Sequence, residues 1–217
     1  MQKCIIIANG KAPSKGTVTA LKFIGYSLLV CADGGADSAR RLGLTPDYII
    51  GDFDSIRPET LNYFRNKSNI IRIGRQNDTD VEKCLKFVIR KKYTEAVLLG
   101  GTGDRLDHSF CNIGIVIKFF DKIKVKIVSE KSILTPYSGN VELKTVKDET
   151  ISLYGLNERT KITSQGLKYP LKKAKLPFGR KESTSNVATG ETVGLKIKDG
   201  IIFVIRDFNL LRKYGLL

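Results

Sequence analysis

The sequence predicts an α/β protein, with a mostly parallel sheet in an N-terminal domain (residues 1–130) and a smaller C-terminal antiparallel β-sandwich-like domain (residues 131–217). Extended apolar runs alternate with helical patterns up to about residue 130. Beyond it, the helical patterns stop and short alternating segments take over. With 41% apolar and 27% charged residues, the 217-residue chain has the composition of a folded protein.

Six extended apolar runs predict the strands of the N-terminal domain. They cover residues 3–8, 27–32, 48–50, 69–73, 96–99 and 124–128. The runs around Ile5, Leu29 and Leu98 are nearly continuous, which is typical of central strands covered on both faces. Apolar residues three and four apart predict two helices. Their stripes are Val81, Cys84, Leu85, Val88 and Ile89, and Phe110, Ile113, Ile117 and Phe120.

The C-terminal domain is predicted from shorter segments that alternate between apolar and polar residues. These segments cover residues 141–143, 150–154, 161–163 and 192–198. Asp199 and Gly200 stand between β-branched runs at 193–197 and 201–205. This pattern predicts a two-residue hairpin turn.

Several classes of protein are not expected. The apolar runs are far shorter than the roughly 20 residues of a membrane span, and the start of the chain lacks the pattern of a signal peptide. We therefore expect a cytoplasmic protein with no membrane partner. Cys4, Cys31, Cys84 and Cys111 form no close pair, so with His108 as the single histidine a zinc site is not expected. His108 receives no role.

The formal net charge of +15 is spread along the chain. Diffuse positive charge favours polyanionic ligands, either nucleic acid or nucleoside triphosphates. A lysine-rich surface without a specific ligand explains the same charge.

Acidic residues crowd at the ends of the predicted strands, where open α/β sheets bind ligands. Asp33 precedes Gly34 and Gly35, so it either binds a ligand or caps the turn. Asp52 and Asp54 are two residues apart, and in an extended segment they point the same way. They are either Mg²⁺ ligands or solvated loop residues.

Two further segments follow strands. Thr79 and Glu82 fit a capping box that places Asp80 in the first turn of a helix, where an aspartate also interacts favourably with the helix dipole. The glycine-rich segment 100–103 precedes Arg105. Arginine binds phosphate through two parallel hydrogen bonds. All of these segments together predict a site for Mg²⁺ and a polyphosphate.

Six segments occur in a characteristic order: DGGAD (33–37), GDFDS (51–55), QNDTDVEKCL (76–85), LGGTGDRLDH (99–108), TSQGLKYPL (163–171) and STSN (183–186). This set closely resembles the thiamine pyrophosphokinase family over nearly the whole chain. The resemblance implies an ATP-dependent pyrophosphotransferase that makes thiamine diphosphate and AMP from thiamine and ATP. It also implies bound Mg²⁺ and a homodimer with its sites near the subunit interface.

The resemblance and the strand-end reasoning together give a set of expected site residues. The metal ligands are Asp52, Asp54 and Asp80. The catalytic residues are Asp80, Arg105 and Asp107, with either Asp80 or Asp107 handling the proton of the substrate hydroxyl. The ATP-binding residues are Asp33, Gly34, Gly35, Gly100, Gly101, Thr102, Gly103 and Arg105. The thiamine-binding residues are Gln76, Tyr169, Ser185 and Asn186, with Tyr169 standing where the family often has Trp.

Two other functions remain open at this point. A pyrophosphokinase acting on a hydroxymethyl pterin would share the acidic segments. A non-enzymatic nucleic-acid-binding protein would explain the positive charge, although such proteins interleave basic and aromatic residues, whereas the clusters here are acidic.

Overall fold

A computed structural model describes residues 2–74, 77–103 and 105–217. The chain divides into two compact units, of which the first ends at Glu130 and the second begins at Lys131. In the part of the chain that the model describes, none of the helices combines the length and the apolar character needed to cross a membrane.

Within its described residues, the first unit has six strands and five helices. The strands are β1 (Lys3–Ile7), β2 (Tyr26–Ala32), β3 (Tyr48–Gly51), β4 (Asn69–Arg72), β5 (Glu95–Leu99) and β6 (Lys124–Val128). The helices are α1 (Lys15–Phe23), α2 (Gly35–Arg41), α3 (Pro58–Phe64), α4 (Asp80–Arg90) and α5 (Leu106–Lys118).

All six strands of the first unit are parallel, in the order β6-β5-β1-β2-β3-β4. Every residue of β5 is buried, and so is β1 from Cys4 onward, as the continuous apolar runs predict. The chain first builds the sheet outward from β1 to β4 and then returns to β5 on the other side of β1. The carboxyl ends of β1 and β5 therefore form the switch point where such sheets bind ligands.

The predicted buried face is observed in α4 but not in α5. In α4 the predicted stripe is the buried face, with Val81, Cys84, Leu85 and Val88 inside. In α5 the predicted face is wrong: Phe110 and Ile117 are 63% and 37% exposed, and the helix buries the face that carries Asn112, Ile115 and Val116. The reason is that α5 is apolar on two sides, so periodicity alone does not choose the side that packs.

The second unit contains six strands and one short helix, so the expectation of an all-β unit misses the helix. The strands are β7 (Ser132–Lys144), β8 (Thr150–Gly155), β9 (Lys161–Gln165), β10 (Ala174–Lys175), β11 (Ser183–Val187) and β12 (Thr192–Asp207). The helix is α6 (Phe208–Lys213).

The long strand β12 organises the antiparallel pairing of the second unit. It pairs with β7 along its length, with β9 through its first half and with β8 through its second half. The outer strands β10 and β11 pair with β9 and β8. Apolar residues from both halves of β12, from β8 and from β9 share one core. The mixed fold predicted from the sequence, a mostly parallel sheet followed by antiparallel strands, is thus confirmed.

The predicted hairpin at Asp199 and Gly200 is wrong, because β12 continues through both residues. The register against β7 shifts between Ile197 and Ile202, and Asp199 has a φ of 61°. A Cβ at position 200 would lie 2.1 Å from the Thr160 hydroxyl oxygen. The Asp-Gly pair therefore forms an irregularity within one strand, where glycine leaves room for Thr160.

Candidate active site

Three carboxylates meet beyond the carboxyl ends of the first unit's strands. Asp33 follows β2, Asp52 follows β3 and Asp80 begins α4, and one carboxylate oxygen of each lies within 4.8 Å of the others. The parallel sheet brings these ends to one edge, which explains how residues up to 47 positions apart in sequence become neighbours. Three acidic groups at such distances repel one another unless positive charge lies among them.

Asp33 connects the group to the loop that follows β3. It is 2% exposed and its carboxylate accepts hydrogen bonds from the backbone amides of Ser55 and Ile56, at 3.2 and 3.1 Å. These bonds hold the loop after β3 over the end of β2. Burial, together with the charge of Asp80 and a hydrogen bond with Asp54, raises the pKa of Asp33 to about 6 in spite of the two amides.

Lys83 supplies positive charge inside the group. Its Nζ lies 2.8 Å from Asp80 Oδ1 and 3.4 Å from Asp52 Oδ2, and its side chain is 2% exposed. Burial alone would lower the pKa of Lys83, but Asp80 and Asp52 outweigh it and raise that pKa. Burial likewise raises the pKa of Asp52, but Lys83 outweighs it and holds the pKa below the ordinary value.

The start of α4 is fixed by the predicted capping box. Thr79 accepts from the Glu82 amide at 3.3 Å, and the Glu82 carboxylate accepts from the Thr79 amide at 3.0 Å. Lys118 of α5 also donates to Glu82. This cap sets the rotation of the first turn of α4, so that Asp80 and Lys83, three residues apart, point to the same place.

Asp54 lies at the border of the group. The three carboxylates that the structure brings within 4.8 Å are those of Asp33, Asp52 and Asp80, whereas the sequence predicts Asp54 in place of Asp33. Phe53 has a φ of 67°, so the segment is not extended and the two aspartates do not project alike. Asp54 contacts the group through its hydrogen bond with Asp33.

The predicted glycine-rich loop packs against the loop that follows β1. The amides of Gly10 and Lys11 donate to the carbonyls of Gly100 and Thr102, both at 2.8 Å. Gly100 has a φ of 63°, and a Cβ there would lie 2.5 Å from the Ala8 carbonyl. The close packing of these two loops thus explains glycine at position 100.

The remaining predicted ATP-binding glycines also lie at close approaches of the backbone. A Cβ at Gly34 would meet the Asn9 side chain at 2.5 Å, and one at Gly35 would meet the Ile7 carbonyl at 2.1 Å. Gly101 and Gly103 are similarly crowded, by Leu98 and by the Lys11 amide. The loop after β1 therefore borders both glycine segments, which places it at the switch point of the sheet.

Arg105 and Asp107 pair with each other at the start of α5. Arg105 Nε donates to Asp107 Oδ1 at 3.1 Å, and a second hydrogen bond joins the same side chains. Both side chains are more than 60% exposed. The hydrogen bond from Arg105 lowers the pKa of Asp107 to about 2. Asp107 is not part of the three-carboxylate group.

The second unit holds the other predicted ligand-binding residues. Tyr169 is 60% exposed, whereas Asn186 is 1% exposed. Asn186 Oδ1 accepts from the Tyr169 amide at 3.1 Å, and its Nδ2 donates to the Tyr169 carbonyl at 2.8 Å. Ser185 is exposed, with a φ of 51°. Gln76 lies outside the described residues.

Lys83 and the loop 9–11 are the residues that reasoning from the sequence missed. The signal for Lys83 was its spacing of three from Asp80 on a predicted helix, which places both on one face. The signal for the loop was its position directly after a buried first strand, equivalent to the acidic segments.

The family comparisons cover most of the chain. The model of the thiamin pyrophosphokinase catalytic domain matches residues 23–128, and the model of the vitamin B1 binding domain of thiamin pyrophosphokinase matches residues 140–202. Thiamine pyrophosphokinase 2 of Oryza sativa subsp. japonica is 30% identical over 212 residues, covering 84% of this chain and 79% of the relative. This chain belongs to the thiamine pyrophosphokinase family. The family resemblance predicted from the six segments is thereby confirmed.

Solved structures show the same fold. Thiamin pyrophosphokinase from Candida albicans has a TM-score of 0.83 at 22% identity, covering 95% of this chain and 89% of that chain. Thiamine pyrophosphokinase from Bacillus subtilis has a TM-score of 0.80 at 23% identity, covering 95% and 99%. As a member of the family, the chain is an enzyme of the ATP-dependent pyrophosphotransferase class. Neither a pterin-specific enzyme nor a nucleic-acid-binding protein is supported by these matches.

Proposed function

We propose that this chain transfers the pyrophosphoryl group of ATP to the hydroxyl of thiamine, giving thiamine diphosphate and AMP. The observation that carries the proposal is the group of Asp33, Asp52 and Asp80 at the carboxyl edge of the sheet, in a member of this family. In the reaction the hydroxyl oxygen bonds to the β-phosphorus, and the bond from that phosphorus to the oxygen bridging to the α-phosphorus breaks. AMP leaves with that bridging oxygen.

A divalent cation fits the group of carboxylates. Mg²⁺ prefers carboxylate and phosphate oxygens. Among the residues that the structure describes, the three carboxylates carry more negative charge than the Lys83 ammonium balances. We assign Asp52 and Asp80 as its holders, together with Asp33 and the bordering Asp54. When bound, Mg²⁺ would neutralise phosphate charge. Asp54→Asn is expected to lower turnover without changing the fold, and near-normal activity would remove Asp54 from the set.

The chain's own groups supply the rest of the ATP site. We propose that the backbone amides of the loop 100–103 and the Arg105 guanidinium bind the phosphates, with Gly34 and Gly35 allowing close approach of the nucleotide. Asp107 orients Arg105 through their two hydrogen bonds. Either Asp80 or Asp107 would orient the substrate hydroxyl and take its proton.

For thiamine we propose that the exposed Tyr169 ring stacks on the flat heterocycle, with Ser185 as a polar partner. Gln76 stays a thiamine-binding residue predicted from the sequence. Asn186 acts through Tyr169, since both ends of its amide hold the Tyr169 backbone. Tyr169→Ala is expected to raise the KM for thiamine about tenfold, in line with the value of one stacked ring, and to leave the KM for ATP unchanged. An unchanged KM for thiamine would remove Tyr169 from the site.

We also propose a homodimer with its sites near the subunit interface. The exposed apolar face of α5, which carries Leu106, Phe110 and Ile117, supports this. Leu106 directly follows Arg105, so a partner on this face would lie close to the phosphate-binding residues. Light scattering should give twice the 24.1 kDa of the chain. We place the protein in the cytoplasm, an expectation supported by its four free cysteines and tested by fractionation.

The deciding experiment incubates the protein with ATP, Mg²⁺ and thiamine and measures the nucleotide product. AMP together with thiamine diphosphate is the expected result, whereas ADP would mean transfer of a single phosphoryl group. A hydroxymethyl pterin serves as the competing substrate. If the pterin yields AMP and thiamine does not, the proposed substrate is wrong.

A further inference from the structure

The Lys83 ammonium lies in the place where a cation is expected. It contacts Asp80 Oδ1 at 2.8 Å and Asp52 Oδ2 at 3.4 Å, and these oxygens belong to two of the three carboxylates that meet there. The Lys83 side chain is 2% exposed, whereas those of Asp52 and Asp80 are 15% and 28% exposed, so water reaches these contacts only from the aspartate side. A divalent cation bound to the same two oxygens would compete directly with the ammonium.

The residues around Lys83 also disfavour movement of its ammonium away from the carboxylates. Beside α4 lies a cavity of about 340 Å³ that Lys83 itself helps to line. Three other cationic side chains line it: Lys86, Arg90 and Lys122. Because the Lys86 ammonium is already paired with Asp78, a displaced Lys83 ammonium would meet the like charges of Arg90 and Lys122 in that direction. Phosphate groups arriving at the carboxylates would instead offer it a new acceptor.

We propose that Lys83 is a resident counter-ion that occupies the cation site of the nucleotide-free protein and yields it only when phosphate arrives. This inference rests on the proposed function, because the divalent cation and the nucleotide are parts of it. Its consequence is that the protein binds Mg²⁺ weakly by itself and takes it up together with ATP. The ammonium then moves from Asp52 and Asp80 to a phosphate oxygen.

The test measures Mg²⁺ binding without nucleotide, by titration calorimetry and by the rise in melting temperature on adding Mg²⁺. Lys83→Met is expected to bind Mg²⁺ at least about tenfold more tightly than the wild type, because a unit charge at this distance is worth more than the corresponding 1.4 kcal/mol. Equal or weaker binding by Lys83→Met overturns the proposal.

The matched control is Lys86→Met. It removes the same charge from the next turn of α4, where the ammonium pairs with Asp78 rather than with the three carboxylates. Its Mg²⁺ affinity should stay within about twofold of the wild type, since distant charge is screened. An equal gain in Lys86→Met would mean that net charge alone sets the affinity, which also overturns the proposal.

A second pair of variants covers the case in which Lys83→Met does not fold. The double variant Asp52→Asn with Lys83→Met removes one charge of each sign, and it is compared with Asp52→Asn alone. The double variant should bind Mg²⁺ more tightly than the single one, and a failure to do so contradicts the role of Lys83. These readouts need no thiamine, so they are independent of the AMP assay that tests the proposed function.

Discussion

The two ends of the parallel sheet differ in the charge that surrounds their buried carboxylates. At the amino ends of its strands, Glu95 is paired with Lys126 at 2.7 Å and accepts a hydrogen bond from Tyr26. Burial raises the pKa of Glu95, but Lys126 and Tyr26 outweigh it and hold it below the ordinary value. At this end the buried Glu95 carboxylate is therefore matched by positive charge, from Lys126 and also from Lys124.

At the carboxyl ends, three carboxylates of the described residues lie together, and two of them contact the Lys83 ammonium. Burial and the charge of Asp80 disfavour the negative charge of Asp33 and raise its pKa. At one end of the sheet a buried carboxylate is thus surrounded by positive charge. At the other end, where we propose that the ligand binds, the described residues carry negative charge in excess. Perturbed groups of this kind cluster at functional sites.

The largest expected effect is on catalysis at the carboxyl end. Asp52→Asn should lower the rate of AMP formation by about 100-fold or more, because it removes one of the carboxylates that we propose hold the divalent cation, which would neutralise phosphate charge. Its melting temperature should stay near that of the wild type, since Lys83 keeps Asp80 as a partner. Asp121→Asn, at an exposed position, is the control. A large loss of stability in Asp52→Asn would contradict the view that the carboxyl end serves function rather than stability.

A smaller effect, and one on stability alone, is expected at the amino end. Lys126→Met leaves the buried Glu95 without its ammonium and should lower the free energy of unfolding by about 3 kcal/mol. The activity per folded molecule should not change, because this end is remote from the carboxylates in the sheet. Denaturant titration measures the stability, with the exposed Lys22→Met as the matched control. If Lys126→Met lost activity while remaining folded, the two ends would not be separate in function.

The smallest expected effect is a change in the dependence of stability on pH. Because the pKa of Glu95 is lowered in the folded state, its contribution is complete above the ordinary value of 4.5 and is lost as the pH falls through the folded value. Glu95→Gln should therefore show a shallower fall in the free energy of unfolding below pH 4.5 than the wild type. Glu59→Gln, at an exposed position, should keep the wild-type slope. Identical slopes in Glu95→Gln and the wild type would contradict the pairing.

Parts of the molecule followed from local patterns, and parts did not. The six parallel strands were predictable because each is an apolar run bounded by turn residues, and the capping box of α4 was predictable from Thr79 and Glu82. The buried face of α5 was not, because both of its sides are apolar. Nor was the irregularity at Asp199, since the same dipeptide suits a hairpin turn and a bulge.

The sequence by itself determined which residue types are present and where they stand: aspartates and glycines directly after strands, and the aromatic Tyr169 for which we propose a stacking role. Only the tertiary structure decided which aspartates meet. Asp33 joins Asp52 and Asp80 because amides more than 20 residues away hold its carboxylate, and Lys83 joins them because a cap fixes the rotation of α4. Such contacts depend on distances between segments that are remote in the chain, and spacing along the sequence does not encode those distances.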